Sequence, residues 1–334
     1  MGVLNNLKLN KKLLIIFLVF INIFLILLNL SIGEIKADFF EIIKILFSKD
    51  NQLLKSTIID IRLPETLAAA LTGSILALSG ALIQISMENP LASPYTLGIS
   101  HGALLGVAFA ILFFGLASKW IYFFAFFGAF STVMILFLLN KIKKLDNLSL
   151  VLAGVAISSL YGAINLFLQF LSSDLELSAI IYWTFGDLTK ANYFSLKILF
   201  ICLILGLIYV EKKKYKIFSL ELGEEVALSL GVDVNKLKII NLILATFLVS
   251  ITVSFFGIIG FIGLIVPHLT RLLFGKEISY YFILNILAGS ILLILADIFS
   301  KTLLAPQILP IGILTSILGA PTFLYLLLRG KKCL

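Results

Sequence analysis

Ten apolar runs of about 17–23 residues dominate this chain, each close to the roughly 20 that a helix needs to cross the hydrocarbon core of a bilayer. They lie at about 13–30, 67–86, 96–117, 120–140, 149–171, 192–210, 239–256, 258–274, 281–299 and 309–328. The seventh and eighth meet in "SFFGIIGFIGLIVPH", where only glycines interrupt the apolar sequence. Composition agrees: 60% of the 334 residues are hydrophobic, 13% are charged, and the mean hydropathy is +1.12. Soluble domains carry about twice that share of charge. The fold class expected is therefore all-α, a polytopic membrane protein with about ten transmembrane helices in a tightly packed bundle. The first run follows Lys8, Lys11 and Lys12, as the core of a signal peptide would. It is longer than the usual core of about 7–15 residues and reads as a retained first span.

Lysine placement sets the orientation, because cytoplasmic loops are enriched in Lys and Arg. With the N-terminus inside, 17 of the 26 basic residues fall on cytoplasmic segments: Lys8, Lys11, Lys12, Lys141, Lys143, Lys144, Lys212, Lys213, Lys214, Lys216, Lys236, Lys238, Arg271, Lys276, Arg329, Lys331 and Lys332. An even number of spans then places both termini in the cytoplasm. The net charge of +8 is thus a topology signal, and lipid rather than nucleic acid is the expected surroundings. Cys202 and Cys333 form no disulfide framework, and His101 and His268 are too far apart in sequence to suggest a metal site.

Small residues mark the spans packed against protein. Ala69, Gly73, Ala77 and Ala81 recur at every fourth position in the second span, and Gly98, Gly102 and Gly106 do so in the third. Such stripes let backbones approach where lipid supplies no hydrophobic drive. The first run has neither glycine nor alanine and is expected to face lipid. No GxxxxGK[ST] phosphate loop and no nucleophile–base arrangement occurs in the sequence. Nearly all 18 acids lie in loops or at span ends, and the deepest, Asp297, is close to an outer end. Ion-coupled transporters and membrane enzymes carry ionisable groups in mid-span. A chain without them that moves a solute takes its energy from a partner.

Two connecting segments stand apart. "SMENPLASPYTLGISHG" (86–102), at the cytoplasmic end of the second and third spans, contains Pro90 and Pro94, which a continuous helix cannot hold so close together. It carries no lysine, unlike other inside loops, which suits a segment tucked into the bundle. The second, 211–238, reads "EKKKYKIFSLELGEEVALSLGVDVNKLK". Leu222, Val226 and Leu230 share one face of a short amphipathic helix there. Glu221, Glu224 and Glu225 occupy its first turns, where the helix dipole favours negative charge, and Gly231 stops it. Helices that lie on bilayers prefer Lys and Arg on the polar face, so this acidic knob suits a protein groove better.

The blocks "RLPETLAAALTGSILALSGALIQ", "ENPLASPYTLGISHGALLG", "LVLAGVAIS", "LGEEVALSLGVDV", "GFIGLIVPHLTRLLFG" and "LPIGILTSILGAPTFLYLLLR" resemble, in order, the permease subunits of ABC importers for iron–siderophores, haem and cobalamin. The resemblance runs from about residue 55 to the end. It implies a single ten-span permease domain over 1–334, in the bacterial cytoplasmic (inner) membrane. It also implies a second permease subunit (the same chain or a paralogue), two cytoplasmic ATPase subunits and an extracytoplasmic substrate-binding protein. The chain would be no enzyme and bind no cofactor, ATP being held by the partner subunits. By the same resemblance, Gly223, Glu224, Glu225, Ala227 and Gly231 belong to the helix that couples to the ATPase. Asn89 and Leu91, beside Pro90, would constrict the path near the cytoplasm, with Asp146 and Asn147 of "LDNLS" (145–149) in a second constricting turn. Arg62 of "RLP" and Lys301 would face the binding protein. Glu65 departs from the pattern, because an arginine often stands there. His268 and Arg271, one turn apart in "VPHLTR", are expected to serve structure or transmission. An ion-coupled secondary transporter is the alternative, and it calls for mid-span charges that the sequence lacks.

Overall fold

The structure is a computed structural model and describes residues 11–33, 52–143, 146–275 and 278–329. Lys8, Lys144, Leu145, Lys276, Lys331 and Lys332 lie outside the described residues. Among the described residues the chain is helical, with no strand. The helices begin with α1 (Lys11–Ser31), α2 (Leu63–Ser86), α3 (Ile99–Phe114), α4 (Trp120–Lys143), α5 (Asn147–Leu171) and α6 (Asp174–Thr184). They continue with α7 (Tyr193–Ser219), α8 (Glu224–Ser229), α9 (Val234–Phe256), α10 (Ile262–Phe274), α11 (Tyr281–Thr302) and α12 (Ile311–Arg329). A short helix (Gln52–Ser56) and a π-helical turn (Thr57–Arg62) feed α2 without a break. Among the described residues, seven helices are long and apolar enough to cross a membrane, and α3, α10 and α12 are shorter apolar helices. Together they fall on the ten apolar runs.

The bundle is built around α2. Nearly every residue of this helix is buried, and α7, α9, α10 and α11 pack against it. The small-residue stripe explains how. A Cβ added at Gly73 would overlap the carbonyl of Gly289 on α11, and one at Gly80 would overlap that of Gly263 on α10. Backbones that close give each helix van der Waals contact that lipid tails cannot match. Gly102 meets Gly128 of α4 in the same way. Gly98, grouped with Gly102 and Gly106 by its spacing, does not share that stripe. Its φ of 84° is left-handed, and it ends the preceding loop as the N-cap of α3.

Three further expectations are revised. First, α1 does not face lipid all round. Leu18, Asn22, Leu25 and Asn29 form a buried seam against α11, while Phe17, Phe20 and Phe24 remain exposed. Asparagine replaces glycine as the seam's anchor: the Asn22 amide donates to the Leu18 carbonyl at 2.9 Å and to that of Leu287 at 3.3 Å. Second, the seventh and eighth runs separate at Gly257, whose φ of 73° ends α9, and Phe261, whose φ of 65° opens α10. Third, α7 continues nine residues past the expected boundary at 210 to Ser219. Its last turns pack Phe218 edge-on to Tyr281 and Phe282 of α11, so helix replaces most of the first part of the 211–238 loop.

Candidate gate and coupling site

At the lysine-rich end of the bundle, α2 stops at Ser86 and the chain enters a compact turn. Asn89 donates its backbone N–H to the Gln84 carbonyl at 3.1 Å, and its side-chain oxygen accepts the Leu91 N–H at 2.9 Å. This local ring takes over from the helical bonds that Pro90 forbids. Ser93 and Thr96 then clasp each other, with the Ser93 N–H on Thr96 Oγ1 at 2.9 Å and the Thr96 N–H on Ser93 Oγ at 3.2 Å. Ala92, Ser93 and Pro94 are buried, with Pro94 set against α10 at Gly263. Leu91 is instead 44% exposed, an apolar side chain projecting from a tucked segment. Irregular backbone of this kind survives at membrane depth only where protein or a water-lined path satisfies it.

The start of α5 lies beside this turn. Asp146 is its N-cap and accepts the Ser149 N–H at 3.2 Å. Hydrogen bonds from the Ser149 side chain and backbone hold the Asp146 carboxyl below its ordinary range. Asn147 follows and points at Glu88, donating through Nδ2 to Glu88 Oε1 at 3.3 Å. Glu88 itself takes a left-handed φ of 47°, rare for a residue with a side chain.

The acidic knob folds as a 3-10 turn over Leu220–Leu222 followed by α8, with Gly223 between them at φ 102°. Ala227 is fully buried and anchors the knob, its carbonyl accepting the Val232 N–H at 3.0 Å. Leu222, Val226, Leu228 and Leu230 are all exposed. Gly231, at φ 73°, ends α8 with open space around the position of a Cβ. Two ion pairs hold the knob to the bundle. Glu221 pairs with Arg271 of α10 at 3.0 Å, and Arg271 also lies over the Tyr281 ring at 5.4 Å. Glu224 pairs with Lys238 of α9 at 2.5 Å. His268 stands one turn before Arg271 and is partly buried.

At the opposite end, Arg62, Glu65 and Lys301 come together, but they do not face outward. Lys301 pairs with Glu65 at 3.0 Å and with Asp297 at 2.8 Å, and it donates to Asn29 Oδ1 at 3.2 Å. The Asn29 amide completes the cluster by donating to Asp297 Oδ2 at 2.7 Å. The Lys301 and Glu65 side chains are only 7% and 6% exposed. Arg62 is buried as well and donates to the Leu30 carbonyl at 3.0 Å. The carboxylate at 65 thus has a physical cause: it is the internal counter-ion of Lys301. Sequence reasoning saw Lys301 and Asp297 but not Asn29 as their partner. It counted Lys238 only as a topology lysine and passed over Glu88.

The family model described as the FecCD transport family matches residues 20–329. An ABC transporter permease protein of Methanocaldococcus jannaschii is 42% identical over 91% of this chain and 90% of its own length. An iron chelatin transport system permease protein of Helicobacter pylori is 38% identical over 86% of each chain. The vitamin B12 import system permease protein BtuC of Vibrio vulnificus is 34% identical over 91% of this chain and 90% of its own. Among solved structures, an inward-facing metal-chelate type ABC transporter superposes with a TM-score of 0.85 at 29% identity, over 95% of this chain and 99% of the other. With ten apolar helices around a small-residue core and a family match that spans nearly all of them, the chain belongs to the FecCD transport family.

Proposed function

We propose that the chain is the translocation-path permease subunit of an ATP-binding-cassette importer, carrying an iron chelate across the cytoplasmic membrane. The observation that supports this best is the meeting, at one end of the bundle, of a buried irregular turn with an exposed apolar knob. In this reading Asn89, Pro90 and Leu91, with Asp146 and Asn147, form the inner constriction. The 220–231 knob, through Gly223, Glu224, Glu225, Ala227 and Gly231, enters a groove on one ATPase subunit. Its four exposed apolar side chains and its acidic rim suit a protein groove with a basic edge. The full assembly would hold a second permease subunit, two ATPases and an extracytoplasmic binding protein. The iron-chelate reading follows the names of two of the proteins matched, while the relative named for vitamin B12 keeps cobalamin as the competing cargo. Arg62, Glu65 and Lys301 are better suited to an internal lock than to docking, because Glu65 and Lys301 pair with each other below the surface and Arg62 is buried on the Leu30 carbonyl.

Reconstituted uptake tests the reading. Proteoliposomes with permease, ATPase and binding protein should take up a labelled ferric siderophore when ATP is supplied, and a protonophore should not stop them. Gradient-driven uptake by the purified chain alone would overturn it in favour of a secondary transporter.

A further inference from the structure

Lys238 stands in the first turns of α9, and its ammonium reaches three separate chain segments. It contacts Glu224 Oε1 of α8 at 2.5 Å, Glu88 Oε1 after α2 at 2.8 Å, and Asn147 Oδ1 at the start of α5 at 3.0 Å. An ammonium has three N–H donors, and these three acceptors use them all. Asn147 closes the ring through its own bond to Glu88. The Lys238 side chain is 9% exposed while that of Glu224 is 51% exposed, so one member of the cluster is open to a partner and the hub is not.

We propose that Lys238 is the positioning residue that links the ATPase-facing helix to the inner gate, so that a displacement of α8 is felt directly at Glu88 and Asn147. The proposal rests on the roles given above to α8 and to the 86–98 turn, and it names the side chain that joins them. Glu88 is the residue before Asn89 and holds a left-handed backbone that only over-determining surroundings maintain. Lys238 and Asn147 supply that restraint. Two carboxylates share one ammonium, so drawing Glu224 toward a basic partner leaves a neutral Lys238–Glu88 pair and a freed donor. Without the ammonium, Glu88 and Glu224 repel. On the other flank, the Glu221–Arg271 pair keeps the knob attached to α10, so α8 can swing about that point rather than leave.

The link is tested first in the full-length permease alone, in nanodiscs. Spin labels are placed at Leu91→Cys and Leu228→Cys, both exposed, with Cys202 and Cys333 replaced by alanine. The distance distribution between them should broaden on Lys238→Met and return to its native width with Lys238→Arg, which keeps the charge and donors. Glu224→Gln changes only an exposed side chain and should also broaden the distribution, which keeps the test decisive if Lys238→Met fails to fold. In the reconstituted complex, Lys238→Met should raise the ATP hydrolysed per molecule imported about tenfold, within the range of couplings between sites. A distribution unmoved by either variant would overturn the proposal, as would uptake and ATP turnover falling in proportion. Failure of the native complex to import with ATP would refute the permease reading, while the spin-label distances would still decide the link.

Discussion

Replacing Lys301 with methionine should destabilise the bundle far more than any exposed ion pair would. The native ammonium holds Glu65 at 3.0 Å, Asp297 at 2.8 Å and Asn29 at 3.2 Å, joining α11 to α2 and α1. Methionine fills a similar volume, so packing is largely kept and charge is what changes. Two carboxylates that shared one cation are then left facing each other, with side chains 6% and 3% exposed. Breaking a buried pair in this way costs about 3–5 kcal/mol, whereas an exposed pair is worth about 0–1 kcal/mol. The burial decides between these figures and points to the larger. Neutralising the three paired groups as Lys301→Met, Glu65→Gln and Asp297→Asn together should recover most of the loss, because neither carboxylate is then stranded and Arg62 keeps its bond to the Leu30 carbonyl. Reversible unfolding in mixed micelles, followed by helical circular dichroism, measures both. A cost for the single variant within about 1 kcal/mol, the exposed-pair range, would refute the reasoning. So would a triple variant less stable than the single one.

Gly80→Leu should prevent assembly, since even a Cβ there overlaps the Gly263 backbone of α10; a normal monodisperse yield in detergent would contradict the close approach. Asp146→Ala should speed amide exchange at Leu148, Ser149 and Leu150 through loss of the α5 cap. The hydrogen bonds that lower the Asp146 carboxyl give a cap contribution fully present above the ordinary carboxylate range and lost as pH falls through the lowered folded value. Protection at those amides should therefore drop on acidification in the native chain and stay flat in the variant. Glu225→Arg should weaken co-purification of the ATPase while leaving the Lys238 contacts intact, because Glu225 is exposed and Lys238 pairs with Glu224. Unchanged co-purification would move the docking surface away from α8.

Much of the fold was legible because bilayer length and local chemistry act within one segment. Each apolar run became a helix, and the four-residue spacing of Gly73 and Ala77 foretold the face that meets Gly289. Pro90 and the Asn89 ring likewise belong to one short stretch, so the break after α2 could be read directly. What escaped was long-range. Lys301 and Glu65 are 236 positions apart in sequence, and nothing local to either shows that they pair (301 − 65 = 236). Lys238 looked like one more cytoplasmic lysine because a charge census is blind to acceptors at 88, 147 and 224. Helix α6 was missed since its Ser173–Glu176 capping box encloses a stretch too short and polar to register as a span.

Glu65 and Glu88 sit at the two ends of one rod. Between them runs α2, gripped by Gly289 near one level and by Gly263 near another. At 1.5 Å per residue, the 24 residues of α2 make the rod about 36 Å long, enough to cross a hydrocarbon core of about 30 Å. Each end carries a carboxylate seated on a buried lysine, Lys301 above and Lys238 below. A helix clasped that closely cannot bend independently at its two ends. Any tilt imposed at the Glu65 end is therefore delivered, like the stroke of a lever, to the turn that follows Ser86.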